Sequence, residues 1–158
     1  MRIYLIQHGL AVARDIDPDR PLSEEGREDV RRLAELMGNA GIRVGQILHS
    51  GKTRAEQTAM LLAAAMLPGG KPRAHAGLGP QDPPDMLAAE IARWSVDTLI
   101  VGHLPCLGRL ASLLLLSDPD RPLLAFRPGS MACLERDAQG QWLLASMVRP
   151  ELLPPSAG

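Results

Sequence analysis

The sequence predicts an α/β protein, a three-layer α/β/α sandwich whose mostly parallel sheet carries an antiparallel hairpin at one edge. Strand and helix signals alternate along most of the 158 residues, as is typical of a parallel sheet covered by helices. Short apolar runs such as Thr98–Val101 fit strands that are buried on both faces. Late in the chain, Ser130–Glu135 and Trp142–Val148 are separated by a turn at Asp137–Gly140, which predicts the edge hairpin.

The composition is that of a globular protein and argues against several kinds of partner. Hydrophobic residues make up 46% of the chain and aromatic residues 3%, so we expect a core of aliphatic side chains and methionine. The formal net charge of −1 and the scarcity of aromatic residues argue against binding to nucleic acid or to an anionic membrane. We expect one domain over residues 1–149 and a loose C-terminal tail over residues 150–158.

The N-terminus and the cysteines bear on location and on metal binding. Met1 leads directly into a strand pattern without a targeting signal, and the apolar runs are too short to span a bilayer. A cytoplasmic protein is therefore expected. Cys106 and Cys133 have no CxxC spacing and no surrounding histidines, so neither a disulfide framework nor a zinc site is expected.

The first predicted strand ends at a histidine. The run Ile3–Ile6 is short and rich in β-branched and aromatic residues, which predicts a strand buried on both faces. The sequence Gln7-His8-Gly9 follows it directly. Because ligands of open α/β sheets bind at the carboxyl ends of the strands, His8 is a candidate for chemistry.

Two helices flank a second strand in the first half of the chain. Ser23 precedes two glutamates and is a favourable N-cap, and apolar residues recur at helical spacing from there until Gly38. Val44–His49 is a short apolar run that predicts a strand. Ser50 opens a second helix, whose apolar stripe ends before Pro68.

The second half begins with a weak strand at Arg73–Ala76 and a proline-rich loop. A third helix is expected over Pro84–Trp94. Asp97–Gly102 contains the strongest signal for a buried strand. Leu104–Leu116 predicts a fourth helix with Pro105 in its first turn, where a missing N–H costs nothing.

Three of the predicted strands end in polar motifs that meet at one edge of the sheet. The motifs are Gln7-His8-Gly9, His49-Ser50-Gly51-Lys52-Thr53-Arg54 and Gly102-His103-Leu104-Pro105. Two histidines and an arginine beside helix N-termini suit a phosphoryl group, because amides and Arg hold its oxygens and an imidazole can attack phosphorus. His49 and His75 lack such support and are expected to be structural.

These motifs resemble those of the histidine phosphatase superfamily, and in particular those of its short SixA-type phosphohistidine phosphatases. The family's opening Arg-His-Gly is present here as Gln7-His8-Gly9. The other matches are Arg20-Pro21-Leu22-Ser23-Glu24-Glu25-Gly26, Ser50-Gly51-Lys52-Thr53-Arg54-Ala55-Glu56-Gln57-Thr58 and Gly102-His103-Leu104-Pro105. The four motifs stand in the family's order, and the resemblance covers nearly the whole chain. The resemblance implies a phosphoglycerate mutase-like fold.

The resemblance also implies a role for each motif. His8 would accept the phosphoryl group as nucleophile, and Arg54 and His103 would stabilise its developing charge. Residues expected to bind the substrate are Gln7, Gly9, Arg20, Ser50 and Leu104. Water would then hydrolyse the phosphohistidine formed on His8, with no metal and no cofactor.

Two departures from the family pattern bear on the reaction. The first Arg of the family motif is Gln7 here, which can donate a hydrogen bond but carries no charge. The acid that protonates an alcohol leaving group in many relatives is replaced by Gly77, with Asp82 the nearest acidic residue. A missing acid disfavours phosphate monoesters and matters less for phosphohistidine, whose P–N bond is labile.

These features predict a phosphohistidine phosphatase that acts on a phosphohistidine-bearing protein or a small phosphorylated substrate. The stretch Leu67–Val96 is too short for a large helical lid, so we expect an open site that a phosphorylated side chain can reach. Two alternatives stay open. One is a phosphate-binding protein that turns over poorly because of Gln7, and the other is a phosphomonoesterase of broad specificity.

Overall fold

The computed structural model describes residues 1–157 and has the predicted α/β/α layers. In chain order its elements are β1 (Arg2–Gln7), α1 (Glu24–Asn39), β2 (Gln46–His49), α2 (Thr53–Met66), β3 (Arg73–Ala74), α3 (Asp85–Ile91), β4 (Thr98–Gly102), α4 (Cys106–Leu116), β5 (Met131–Arg136) and β6 (Trp142–Val148), followed by a 3-10 turn at Pro150–Leu152. The fold class predicted from the sequence is confirmed. Among residues 1–157, none of the helices combines the length and the apolarity needed to cross a membrane.

The strands form a mixed sheet in the order β3-β2-β4-β1-β5-β6. The four strands from β3 to β1 are parallel, and β5 and β6 make the predicted antiparallel hairpin at the edge. In the parallel register Gln7 lies opposite Gly102, and His49 lies opposite Val101. The residues that follow β1, β2 and β4 therefore leave the sheet at the same edge.

The core lies on both faces of the sheet, as the near-continuous apolar strands predict. On β1, Tyr4 and Ile6 pack into the cluster beneath α1 and α2, whereas Ile3 and Leu5 pack into the cluster beneath α3 and α4. This alternation follows from the two-residue period of a strand. A shift of register by one residue would move each side chain into the opposite cluster and disrupt the packing of both, so the strand ends are fixed in place.

Three helix boundaries differ from those expected. Helix α2 begins at Thr53, with Lys52 as its N-cap residue, and not at Ser50. Helix α3 ends at Ile91, since the N–H groups of Arg93 and Trp94 donate to carbonyls three residues back and tighten the chain into 3-10 geometry. Helix α4 begins at Cys106, with Pro105 as its N-cap residue and not within its first turn.

The start of the C-terminal tail is packed against the body of the protein. The sequence predicts a loose tail from residue 150, but Pro150–Leu152 forms a 3-10 turn and Leu153 is buried. The guanidinium of Arg32 donates to the Leu153 carbonyl at 2.9 Å. Leu153 thus packs near α1, although the proline-rich sequence around it gives no local signal for this contact.

The loop after β1 rests directly on the first turn of α1. The side chain of Ser23 accepts a hydrogen bond from the N–H of Gly26 at 3.0 Å, and its backbone N–H donates to the Leu10 carbonyl at 2.9 Å. A Cβ at Gly26 would lie 2.0 Å from that carbonyl oxygen. A residue without a side chain is required here, and the contact sets the path of the chain after His8.

We predict that Gly26→Ala destabilises the protein, because the added methyl must push the Leu10 carbonyl away from the helix. Overpacking of this kind costs about 1–3 kcal/mol. Gly38→Ala, in the last turn of the same helix, is the matched control, since its Cβ would meet the Ala65 Cβ at 3.4 Å. Urea unfolding of both variants checks the prediction, and equal midpoints for Gly26→Ala and wild type would contradict it.

Candidate active site

Four of the predicted site residues meet at the carboxyl edge of the sheet. His8 follows β1, His103 follows β4, Ser50 follows β2 and Arg54 lies in the first turn of α2. The rings of the two histidines are 4.8 Å apart between centroids, at an interplanar angle of 53°. The Nε of Arg54 lies 3.3 Å from the Nε2 of His8. Motifs separated by almost a hundred residues therefore form one cluster.

The neighbours of His8 determine which of its ring nitrogens carries the proton. Its Nδ1 lies 2.7 Å from the carbonyl oxygen of Gly9, which can only accept a hydrogen bond. Its Nε2 faces Arg54, which can only donate. The proton is therefore on Nδ1, and the lone pair of Nε2 accepts the hydrogen bond from Arg54. This tautomer makes Nε2 the nucleophilic atom of the ring.

His103 is held by Ser50 and is almost fully buried. Its Nε2 lies 2.6 Å from the hydroxyl oxygen of Ser50. Among the described residues, no group pairs with its buried Nδ1. Ser50 therefore fixes the orientation of this ring.

Two residues to which the sequence analysis gave no role hold the loop that follows β1. The hydroxyl of Thr58 accepts the N–H of Gly9 at 3.0 Å and donates to the Arg54 carbonyl at 2.8 Å. The side chain of Gln57 accepts the N–H of Leu22 at 2.8 Å. Both lie in the motif that begins at Ser50, and their place one helical turn after Arg54 was the available signal.

Gly9 lies where the loop that follows β1 approaches α1 closely. A Cβ at this position would come within 2.9 Å of the Val30 side chain and 3.0 Å of the Gly26 carbonyl oxygen. Its carbonyl orients His8 and its N–H binds Thr58. The structure thus gives Gly9 a role in positioning the histidine through its backbone.

Arg20 lies near the cluster in an unusual backbone conformation. Its φ of 48° is in the left-handed region, which residues other than glycine adopt infrequently. Its Nε donates to the Val12 carbonyl at 3.2 Å, and its charge contributes to lowering the pKa of both His8 and His103. Leu104 is 40% exposed beside His103.

The electrostatic surroundings keep both histidines neutral. Burial lowers the pKa of His8 to about 4 against the opposing effect of the Gly9 carbonyl, and the charges of Arg54 and Arg20 lower it further. Burial, together with His8 and nearby cations that include Lys52, lowers the pKa of His103 to about 3. A cluster of cations around two neutral imidazoles is suited to binding an oxyanion.

The two departures from the family motifs are visible in the structure. The side chain of Gln7 is buried, and among the described residues its Oε1 has no hydrogen-bond partner. Asp82 accepts the N–H of Gly79 at 2.8 Å, so its carboxylate holds a turn of the loop. Gly77 has a φ of 83° and its carbonyl accepts a weak bond from the Cys106 thiol.

The remaining histidines make local structural contacts. The Nδ1 of His49 accepts the N–H of Gly51 at 3.1 Å. The ring of His75 lies between the Ala76 carbonyl and the Glu90 carboxylate. Within residues 1–157, no group of three or more His, Cys, Asp or Glu side chains is arranged to hold a metal ion.

Comparison with known sequences identifies the family. A sequence profile of the histidine phosphatase superfamily (branch 1) matches residues 3–78. An uncharacterized protein of Picosynechococcus sp. is 36% identical over 118 residues, which cover 70% of this chain and 71% of that protein. The chain belongs to the histidine phosphatase superfamily. The resemblance seen in the sequence motifs is confirmed, and with it the general class of phosphatase hydrolase.

Solved structures of this superfamily share the fold over nearly the whole chain. The protein histidine phosphatase SixA, solved with tungstate, superposes with a TM-score of 0.83 at 21% identity, covering 95% of this chain and 97% of that chain. A variant of the phosphoserine phosphatase of Entamoeba histolytica, solved with phosphoserine, gives 0.73 at 14% identity, covering 96% and 99%. A mycobacterial glucosyl-3-phosphoglycerate phosphatase gives 0.69 at 18% identity, covering 90% and 96%. The fold alone does not select among their substrates.

We predict that His8 and His103 stay neutral at pH values where a free imidazole, with a pKa of about 6.5, is protonated. The folded protein takes up these protons only near pH 4 and pH 3. The unfolded chain binds them near pH 6.5, so the free energy of unfolding falls as pH drops through this window. Nitrogen NMR shifts of the two rings, titrated from pH 7.5 to pH 5, provide the measurement. Protonation of either ring above pH 6 would contradict it.

Proposed function

We propose that this protein is a phosphohistidine phosphatase that works through a covalent phosphohistidine intermediate on His8. The proposal rests on one observation above all. The Nε2 of His8 is unprotonated in a neutral ring, and the Nε of Arg54 donates a hydrogen bond to it at 3.3 Å. A nucleophile held in its reactive form beside a cation is the arrangement that phosphoryl transfer requires.

In the first step the lone pair of His8 Nε2 attacks the phosphorus of the substrate phosphohistidine. The new P–N bond forms as the P–N bond to the substrate imidazole breaks. The electron pair of that bond stays on the substrate nitrogen, and the ring, protonated on its other nitrogen, leaves as a neutral imidazole. Arg54, Arg20 and His103 stabilise the charge on the transferring oxygens. The position of His103 supports this role, since its ring lies 4.8 Å from that of His8 between centroids.

In the second step water adds to the phosphorus of phosphorylated His8. The P–N bond breaks, inorganic phosphate leaves and the ring returns to its neutral tautomer. The Gly9 carbonyl keeps the ring oriented through both steps because it bonds the nitrogen that does not react. The net reaction uses one water molecule for each phosphohistidine and needs neither a metal nor an organic cofactor.

The surroundings of the leaving group favour phosphohistidine over an alkyl phosphate. An alkoxide leaves poorly unless an acid protonates it, whereas an imidazole nitrogen leaves without a strong acid. The position of the family acid is Gly77, and Asp82 is engaged with the N–H of Gly79 at 2.8 Å. The similarity to SixA in fold is consistent with this substrate, which we propose is borne by another protein.

A second candidate function follows from Gln7. This buried side chain is uncharged where the family motif has an arginine, and a missing transition-state donor costs about 10²–10³ in rate. The cationic cluster would still bind a phosphorylated protein without this donor. The second candidate is therefore a phosphohistidine-binding protein with little turnover.

We expect wild type to release inorganic phosphate from a phosphohistidine-bearing protein, and His8→Ala to release none because the nucleophile is missing. Arg54→Ala should lower kcat by about 10²–10³, and Gln7→Arg should raise it by up to the same factor. Phosphate release and acid-labile labelling of His8 are the measurements.

His75→Gln is the matched control for these variants, because it changes a histidine outside the cluster and should leave turnover intact. Activity retained by His8→Ala would refute the covalent mechanism. An inert wild type whose activity appears in Gln7→Arg would establish the second candidate.

The absence of an acid predicts a further selectivity. An aryl phosphate, whose leaving group needs no protonation, should be hydrolysed at least about 10²-fold faster than an alkyl phosphate. Asp82→Asn should preserve the bond to Gly79 and leave the turnover of phosphohistidine unchanged. A large loss in Asp82→Asn, with an unaltered melting temperature, would show that Asp82 acts as the acid after all.

A further inference from the structure

An apolar groove of about 350 Å³ begins beside His103 and follows α4 away from the site. Its lining includes Leu104, Pro105 and Gly108 on the side of α4, and Pro122, Leu123 and Leu124 on the segment that follows this helix. Leu104 is the residue directly after His103, so this end of the groove lies next to the phosphoryl site proposed above.

The chemistry of the groove differs sharply from that of the cationic cluster beside it. Leu104 and Leu123 are 40% and 48% exposed there. Of the groove residues in the described part of the chain, two are charged, and these pair with each other through Arg109 Nη2 and Asp120 Oδ1 at 3.0 Å. The groove therefore offers apolar surface and little unpaired charge.

The shape of the groove is set by rigid local structure. The pair of Arg109 and Asp120 ties the loop after α4 back onto the helix, and the Asp120 N–H bonds the Asp118 carboxylate at 3.1 Å. Gly108 leaves space at the bottom of the groove, since a Cβ there would contact the Leu104 side chain at 3.5 Å. Its occupant therefore meets a surface that is already formed.

We propose that this groove binds an apolar side chain of the phosphorylated protein, close in sequence to its phosphohistidine. The inference rests on the proposed function and narrows its substrate class. A phosphorylated sugar would place hydroxyl groups against Leu104 and Leu123, where they lose water without gaining partners. A leucine or phenylalanine of a polypeptide gains by the same burial.

The test uses phosphohistidine peptides that differ at one position. Each peptide has a leucine one to four residues before or after the phosphohistidine, and its partner has serine there. Affinity is measured on His8→Ala, which needs no turnover, and kcat/KM on the protein with His8 intact. We expect the best leucine peptide to bind about tenfold more tightly than its serine partner.

Two variants of the groove should remove this preference. Leu123→Asp places a charge in the groove, and Gly108→Leu fills it from the floor. Both should leave kcat/KM for free phosphohistidine unchanged. Leu143→Asp, at a leucine of similar exposure on β6, is the matched control and should keep the preference.

The outcomes distinguish a failure of the groove proposal from a failure of the proposed function. Equal affinity for every leucine and serine pair, or a preference that survives in both groove variants, would overturn the proposal even if phosphate release is intact. A preference for leucine that both groove variants abolish would support the groove proposal, even if wild type fails to hydrolyse free phosphohistidine. That failure would count against the proposed function alone.

Discussion

The site depends on the parallel pairing of β1 with β4 at the centre of the sheet. Gln7 lies opposite Gly102, and the N–H of His8 donates to the Gly102 carbonyl at 3.1 Å, so the ladder continues one residue beyond β1. The chain turns away only after this bond. His8 and His103 therefore leave the sheet at the same level, with their rings within 4.8 Å.

Much of this arrangement could be predicted because it is encoded locally. A short apolar run followed by a histidine and a glycine can be recognised in the sequence as a buried strand and the loop after it. Parallel strands then bring these loops to one edge of the sheet. The order of the motifs then identified the family. His8, Arg54 and His103 could be brought together in this way without coordinates.

Other features could not be predicted because they depend on contacts between distant segments. The bond from Gly9 to Thr58 and the packing of Leu153 near α1 join parts of the chain that no local pattern relates. At the start of α4, the N–H of Cys106 donates to the distant carbonyl of Pro80 at 3.1 Å. The low pKa values of the histidines likewise follow from burial in the folded protein, which composition does not reveal.

The cations beside the two histidines have an electrostatic cost that a ligand can offset. Burial and the nearby charge of Arg20 both lower the pKa of Arg54, because its cation loses water and meets a like charge. Under the proposed role of the site, a bound oxyanion offsets this repulsion and binds the folded chain alone. By mass action the free energy of unfolding then rises with the oxyanion concentration. Under this role, the measured stability of the protein depends on the anions of the buffer as well as on the sequence.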